Sequence, residues 1–227
     1  MAAKCPYCQK ELLKLPDRKT KCPHCSNFIF VRTKPSDDRQ RILVREDQLE
    51  KLEKEWQKYL QKYRSIAEFK RGLQNSDLGF TEEKYLKIKE GLTKRFGFDP
   101  SEDDMLWGVS NLLLEEAMKI GDWHKMKMIY FSQALFLHRE GKDCFEVLQE
   151  VARCELINYQ KSGVVEKVEV LTTGNQSCSA CQKLVGKILT IKEALADMPI
   201  PVKDCLFKFN PEAPTGWCRC CYVPVVE

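Results

Sequence analysis

Cysteine placement is the feature that most constrains what this chain can fold into. Ten of its twelve cysteines fall into two clusters, one between Cys5 and Cys25 and one between Cys178 and Cys221. Cys5/Cys8, Cys22/Cys25 and Cys178/Cys181 are Cys-x-x-Cys pairs. In such a pair both sulfurs can bind one ion, and a second pair from elsewhere in the chain completes the tetrahedron. Because the sequence shows no secretory signal pattern, metal binding explains these cysteines better than disulfide bonds do. The pattern therefore predicts two metal-dependent modules, each holding one Zn²⁺.

The N-terminal cluster carries the strongest single motif. Cys5-Pro-Tyr-Cys8 and Cys22-Pro-His-Cys25 are separated by thirteen residues. The proline fixes φ in each tight turn, after which backbone amides can point at the thiolates. Residues 1–34 thus resemble a four-cysteine zinc ribbon, with short strands in 11–21 and 28–31 and with His24 as an exposed non-ligand. The predicted zinc ligands are Cys5, Cys8, Cys22 and Cys25.

The C-terminal cluster contains more thiols than one tetrahedral ion needs. Its Cys-x-x-Cys pair predicts Cys178 and Cys181 as zinc ligands. The looser spacing leaves the other two ligands open: Cys205 and Cys218 are favoured, and Cys220 is the alternative to Cys218. If residues 218–222 form a strand, Cys221 points away from the metal and is a buried or idle thiol.

This C-terminal stretch also resembles the cysteine motif of the phage minor head (head morphogenesis, Mu F-like) family. That motif reads C-P-x-C, a hydrophobic-Gly-Lys step, and H-P-N-C-R-C. The matching positions are Cys178, Cys181, Gly186, Lys187, Cys218, Arg219 and Cys220. Residues 215–217 (Thr-Gly-Trp) stand where the family has H-P-N, which implies that Cys205 replaces the missing ligand. The resemblance covers about the last 60 residues and implies a head-associated protein of a phage or prophage.

The positive charge of the chain is concentrated in its first 34 residues. This segment contains eight Lys or Arg residues and only two acidic residues, Glu11 and Asp17. The net charge of the whole chain is only +4. Such a basic surface can neutralise phosphates, and Tyr7 or Phe28 could stack on a base. A solvated small domain that contacts protein is the alternative. The candidate nucleic-acid contacts are Lys14, Arg18, Lys19, Lys21, Arg32 and Lys34.

The residues between the clusters predict a helical body, so the fold class is mainly α. Residues 33–38 form a polar linker, and a long helix follows over 39–72. Its aromatic stripe favours packing within the chain over an oligomer formed through a coiled coil. Further helices are predicted over 81–96, 101–120, 122–140 and 143–161. At Gly163 the period becomes alternating, which indicates a small α+β module over 163–227 with a capping box at Thr190 and Glu193.

Several functional classes find no support in the sequence. No apolar run reaches the roughly 18 residues of a membrane span, and the first residues lack a signal-peptide pattern, so we expect a cytoplasmic protein, or a virion-associated one if the phage resemblance holds. HExxH, GxSxG and P-loop motifs are missing. We therefore expect a non-enzymatic zinc protein that serves as an interaction scaffold, with nucleic-acid binding through the basic ribbon, in regulation or phage defence, as the alternative.

Overall fold

The computed structural model describes residues 3–35, 37–208 and 210–225. The chain divides into two compact units, Met1–Tyr63 and Arg64–Glu227. About 52% of it is helical and the strands form two small sheets, so the chain is mainly α, as predicted. In the described part of the chain, no helix is both long enough and apolar enough to cross a membrane.

The first unit is built on a three-stranded antiparallel sheet. Strands β1 (Thr20–Lys21), β2 (Phe28–Lys34) and β3 (Asp37–Val44) pair in the order β1-β2-β3. Helix α1 (Leu49–Leu73) begins in this unit and ends in the second. Near its start, Leu52 and Trp56 pack on the sheet residues Phe30 and Val44, and the Trp56 indole donates to the carbonyl of Thr33 at 3.1 Å.

The predicted linker and the predicted start of the long helix were wrong. Most of the predicted linker 33–38 is strand, because β2 continues to Lys34 and β3 begins at Asp37. Residue 36 of that linker lies outside the described residues. The helix predicted from residue 39 begins at Leu49 instead. Residues 39–44 are extended because they pair with β2, which places Ile42 opposite Arg32 and Val44 opposite Phe30. Branched side chains suit such a pleated, half-buried surface.

The strand pairing predicted within 11–21 is less extensive than expected. Glu11 forms an isolated bridge with Lys4, and regular pairing begins only at Thr20. The strand predicted over 28–31 is confirmed and extends to Lys34. The intervening residues lack the alternation that would bury one face, and Leu13 is fully exposed.

The second unit contains the predicted helical bundle. Helices α2 (Glu82–Phe96), α3 (Glu102–Ile120), α4 (Trp123–Arg139) and α5 (Phe145–Ser162) begin and end within two residues of the predicted bounds. Thr81 and Ser101 cap the first two by accepting from backbone amides, and left-handed glycines end three of the four. Leu106, Val109 and Ile129 are completely buried in the core of the bundle.

A second antiparallel sheet follows the bundle. Strands β4 (Lys167–Leu171), β5 (Ile188–Thr190) and β6 (Cys221–Val225) pair in the order β5-β4-β6, with helices α6 (Ser179–Gln182) and α7 (Ile191–Asp197) in the connections. The capping box predicted at Thr190 and Glu193 is present at the start of α7. The strand considered over 218–222 begins only at Cys221, so Cys218 and Cys220 lie in the irregular segment before it.

Candidate metal centres

The four N-terminal cysteines converge on one point. Their sulfurs all lie within 4.8 Å of one another, and the Cys5–Cys25 and Cys8–Cys22 Sγ distances are both 3.8 Å. A tetrahedron with Zn–S bonds of about 2.3 Å has sulfur–sulfur edges of about 3.8 Å. These residues can therefore hold one tetrahedrally coordinated metal ion. We call this group the N-terminal centre.

Two backbone turns of the same design present these sulfurs. Gln9 and Ser26 each follow the second cysteine of a pair, and both adopt the left-handed conformation, with φ of 60° and 61°. Their amides donate to the carbonyls of the first cysteines, Cys5 and Cys22, at 3.0 and 2.9 Å. The two halves of the centre are thus a repeated knuckle, which the repeated Cys-Pro-x-Cys motif indicated.

Backbone amides stabilise negative charge at the N-terminal centre. Burial alone would raise the pKa of Cys22. Hydrogen bonds from the amides of His24 and Cys25, together with those from the Cys5 and Cys25 side chains, outweigh burial and lower that pKa to about 6. The His24 amide lies 3.4 Å from the Cys22 sulfur. The His24 ring is exposed, and its Nε2 lies 3.1 Å from the Glu11 carbonyl oxygen rather than among the sulfurs.

Five C-terminal thiols meet in a second centre, which has a different arrangement. Their sulfurs form two groups of three that share Cys181, and within each group every pair lies within 4.8 Å. The two groups are Cys178, Cys181 and Cys205, and Cys181, Cys218 and Cys220. We call these five residues the C-terminal centre.

The shared sulfur of Cys181 lies between the two groups. It is 3.8 Å from the sulfur of Cys205 and 3.9 Å from that of Cys218, and the Cys178–Cys205 distance is also 3.9 Å. The structure therefore brings together the four predicted ligands and the alternative ligand Cys220. It does not place either Cys218 or Cys220 within 4.8 Å of all three sulfurs of the first group.

The C-terminal pair is presented by a helix rather than by a knuckle. Cys178 is the N-cap residue of α6 and Cys181 lies inside it, so both sulfurs emerge from one helical turn. The amide of Gln182 donates to the Cys178 carbonyl at 2.9 Å, as in an ordinary α-helix. Gln182 therefore does not have the positive φ that Gln9 and Ser26 have.

A close backbone approach holds the Cys205 segment against the residues just before Cys218. A Cβ atom at Gly216 would collide with the carbonyl group of Cys205, so only glycine fits there. The next residue, Trp217, donates its amide to the Phe207 carbonyl and accepts from the Cys205 thiol at 3.6 Å. The missing side chain of Gly216 therefore lets the segment that carries Cys218 lie directly against the Cys205 carbonyl.

The thiols of the C-terminal centre differ in acidity. Hydrogen bonds from the side chain of Cys220, and then from the backbone of Val202 and Cys220, lower the pKa of Cys218 to about 6 against the opposing effect of burial. Burial raises the pKa of Cys205 to about 11. A negative charge among these sulfurs therefore resides first on Cys218, which favours a cation there.

The remaining cysteines do not join either centre. Cys221 is exposed and lies outside the sulfur groups found among the described residues. Cys144 and Cys154 are buried in the helical part of the second unit. Burial raises the pKa of Cys154 to about 12, and that of Cys144 to about 11, so neither is an activated thiol.

The predicted nucleic-acid contacts are all exposed, and three of them cluster around aromatic rings. Lys19 and Lys21 lie 4.5 and 5.1 Å from the centroid of Phe28, and Arg32 lies 5.9 Å from that of Phe30. Phe28 is 44% exposed, whereas Phe30 is buried. The other three described candidates, Lys14, Arg18 and Lys34, are exposed and do not lie over either ring.

The other aromatic candidate, Tyr7, has a structural role. Its side chain packs on the core around the N-terminal centre, and its hydroxyl accepts a hydrogen bond from the Glu46 amide at 3.0 Å. Phe28 is therefore the better platform for a stacked base.

Comparison with known proteins identifies no relative of this chain: no family model, no curated protein and no solved structure matches it. The phage head resemblance thus depends on the C-terminal motif alone. Within that motif, Gly186 adopts φ of 69° and donates its amide to the Val170 carbonyl, so a glycine suits this turn before β5.

Proposed function

We propose that this protein is a zinc-dependent interaction protein without catalytic activity, folded around one metal centre in each unit. The tetrahedral spacing of the four N-terminal sulfurs carries the proposal. Cysteine occupies all four positions, and both Cys5 and Cys22 are buried. Centres of this kind are closed and structural, whereas a hydrolytic zinc keeps one position open for water and is bound largely by histidine or carboxylate.

Metal content tests this proposal directly. Protein purified without chelator should contain two or more zinc ions per chain by elemental analysis. Cys22→Ser should remove one ion, and Cys181→Ser should remove the C-terminal metal, because Cys181 belongs to both sulfur groups. Cys221→Ser is the matched control and should retain the full zinc content. A wild-type ratio near or below one, or unchanged zinc in both ligand variants, would overturn the proposal.

For the partner, we propose a protein of a phage or prophage head. The support is the resemblance of residues 178–220, together with the turn at Gly186 that the motif glycine suits. The gene should then lie beside portal and terminase genes, and the protein should sediment with head particles from induced cells. A location among host genes, with no protein in the particle fraction, would remove this assignment.

Nucleic-acid binding by the first unit is the second candidate function. The observation that favours it is the exposed ring of Phe28 beside the ammonium groups of Lys19 and Lys21. Single strands are bound by this combination, because bases stack on aromatic rings while cations contact phosphates. Lys14, Arg18, Arg32 and Lys34 add to the positive field of the unit.

Fluorescence anisotropy with a labelled single-stranded oligonucleotide tests this candidate. The affinity should fall steeply with salt and depend little on sequence. The double variant Lys19→Glu/Lys21→Glu should abolish binding, and Phe28→Ala should weaken it by about 1–3 kcal/mol. The control, Lys51→Glu/Lys58→Glu, makes the same charge change on exposed positions of α1. Equal losses in both double variants would indicate a nonspecific charge effect and no site at Phe28.

A further inference from the structure

We infer that the C-terminal centre binds two divalent metal ions that share the sulfur of Cys181. One ion would be held by Cys178, Cys181 and Cys205, and the other by Cys181, Cys218 and Cys220. This inference depends on the proposed zinc binding and extends it from one C-terminal ion to two. The occupants are thiophilic divalent cations such as Zn²⁺ or Cd²⁺.

The grouping of the sulfurs supports two ions rather than one. Four thiolates around one zinc require all six sulfur–sulfur distances to be about 3.8 Å. Cys218 and Cys220 each lie more than 4.8 Å from at least one sulfur of the first group. Within the groups, by contrast, the Cys178–Cys205, Cys181–Cys205 and Cys181–Cys218 sulfur distances are 3.8 to 3.9 Å, which fits sulfurs that share an ion.

The position of Cys181 suits a bridging ligand. It is buried at 3% exposure and is the one sulfur of the described chain that belongs to two groups. Its neighbours Cys205 and Cys218 stand on segments that the contact at Gly216 holds together, so both groups are built by one backbone arrangement.

Charge favours the second ion. One zinc with four thiolates carries a net charge of about −2, whereas two divalent ions with five thiolates carry about −1. Three of the five sulfurs, those of Cys181, Cys205 and Cys218, are buried, and a smaller net charge costs less there. The fifth thiol is thereby used as a ligand rather than left protonated beside the metal.

A small cavity supplies space for an additional ligand. It has a volume of about 20 Å³ and is lined by Cys178, Cys205 and Cys220 together with Arg219 and Phe207. A space above roughly 10–15 Å³ holds one water molecule. A water in this cavity could be the fourth ligand of an ion that is bound by three thiolates.

Cadmium NMR of the full-length chain tests the inference. Reconstituted with excess ¹¹³Cd²⁺, the wild-type protein should show three signals, one from the N-terminal centre and two from the C-terminal centre. The latter two should be coupled to each other through the shared sulfur. Cys220→Ser should lose one of them, Cys22→Ser should lose the N-terminal signal instead, and Cys221→Ser should keep all three.

Native mass spectrometry of the wild-type protein supplies a second measurement in case a variant fails to fold. Binding of three cadmium ions per chain is expected, against two if the C-terminal centre takes one. A single uncoupled C-terminal signal with two bound ions would overturn the inference and leave the proposed function intact. No C-terminal signal at all would overturn both.

Discussion

The two cysteine centres use the same Cys-x-x-Cys spacing on two different backbones. In the N-terminal centre the pairs sit on knuckles whose following residues, Gln9 and Ser26, are left-handed. In the C-terminal centre the pair Cys178 and Cys181 sits on a helical turn. Two knuckles facing each other supply four sulfurs for one ion, whereas the helical pair meets three thiols from a separate segment. The motif therefore identifies candidate ligands but not the architecture of the centre.

The apolar support of the two centres also differs. Around the N-terminal centre the buried cluster consists of Leu12, Ile29 and two of the cysteines themselves. The sheet beside the C-terminal centre has its own core, which includes Val168, Val170 and Tyr222. The free energy of folding should consequently depend on metal much more strongly in the first unit than in the second.

Of the changes considered, metal removal should have the largest effect on stability, and it tests whether the first unit depends on metal more than the second. Structural zinc contributes about 10–16 kcal/mol in small modules, so chelation should unfold the sheet around the N-terminal centre. Hydrogen exchange should then show loss of amide protection over 20–34, while Leu106 and Val109 in α3 stay protected. Equal loss of protection in both units would contradict the comparison, and re-addition of zinc should restore the exchange pattern.

The close approach at Gly216 predicts the next largest effect. Gly216→Ala would press a methyl group onto the Cys205 carbonyl, and we expect a loss of about 3 kcal/mol from the second unit in denaturant unfolding. The C-terminal metal should bind more weakly as well, because the segments that carry Cys205 and Cys218 would be forced apart.

Gly91→Ala is the matched control for that substitution. Gly91 lies in α2 with no atom within 4 Å of its added Cβ, so alanine there should stabilise the same unit by about 0.5–1 kcal/mol. Similar stabilities for the two alanine variants would mean that the backbone contact at Gly216 is not restrictive.

The smallest effects concern the knuckles. Left-handed non-glycine residues cost about 1–2 kcal/mol, so Gln9→Gly and Ser26→Gly should each stabilise the N-terminal centre by about 1 kcal/mol. Gln182→Gly, at the equivalent position in the C-terminal pair, should have the opposite sign, because glycine weakens a helix. Thermal unfolding at fixed zinc concentration measures all three, and the same sign at positions 9 and 182 would refute the distinction between knuckle and helix.

Local signals in the sequence account for what could be predicted. Helix bounds in the second unit follow from caps such as Thr81 and Ser101, which act within a few residues. The candidate ligands follow from cysteine spacing in the same way. Strand β3 was missed because Ile42 also fits the apolar period of the helix that follows, and only its pairing with β2 decides between the two.

The arrangement of the C-terminal thiols could not be read from spacing, because it depends on contacts between distant residues. Cys205 and Cys218 are thirteen positions apart, and their relation is fixed by the approach of Gly216 to a carbonyl group. Likewise, the composition of residues 1–34 indicated a basic surface, but not which of its cations would surround Phe28. Those facts require the folded backbone.

Trp217 gives the C-terminal segment a mechanical anchor. Its indole packs edge-on against Phe131 and His138 of α4, with ring centroids 5.5 and 5.7 Å away, while its backbone is bonded to Cys205 and Phe207. Force on the segment just before β6 would therefore be transmitted through the Trp217 side chain into α4, in addition to the pairing of β6 with β4. Under tension, the segment that carries Cys218 and Cys220 should yield together with α4 rather than peel away from it.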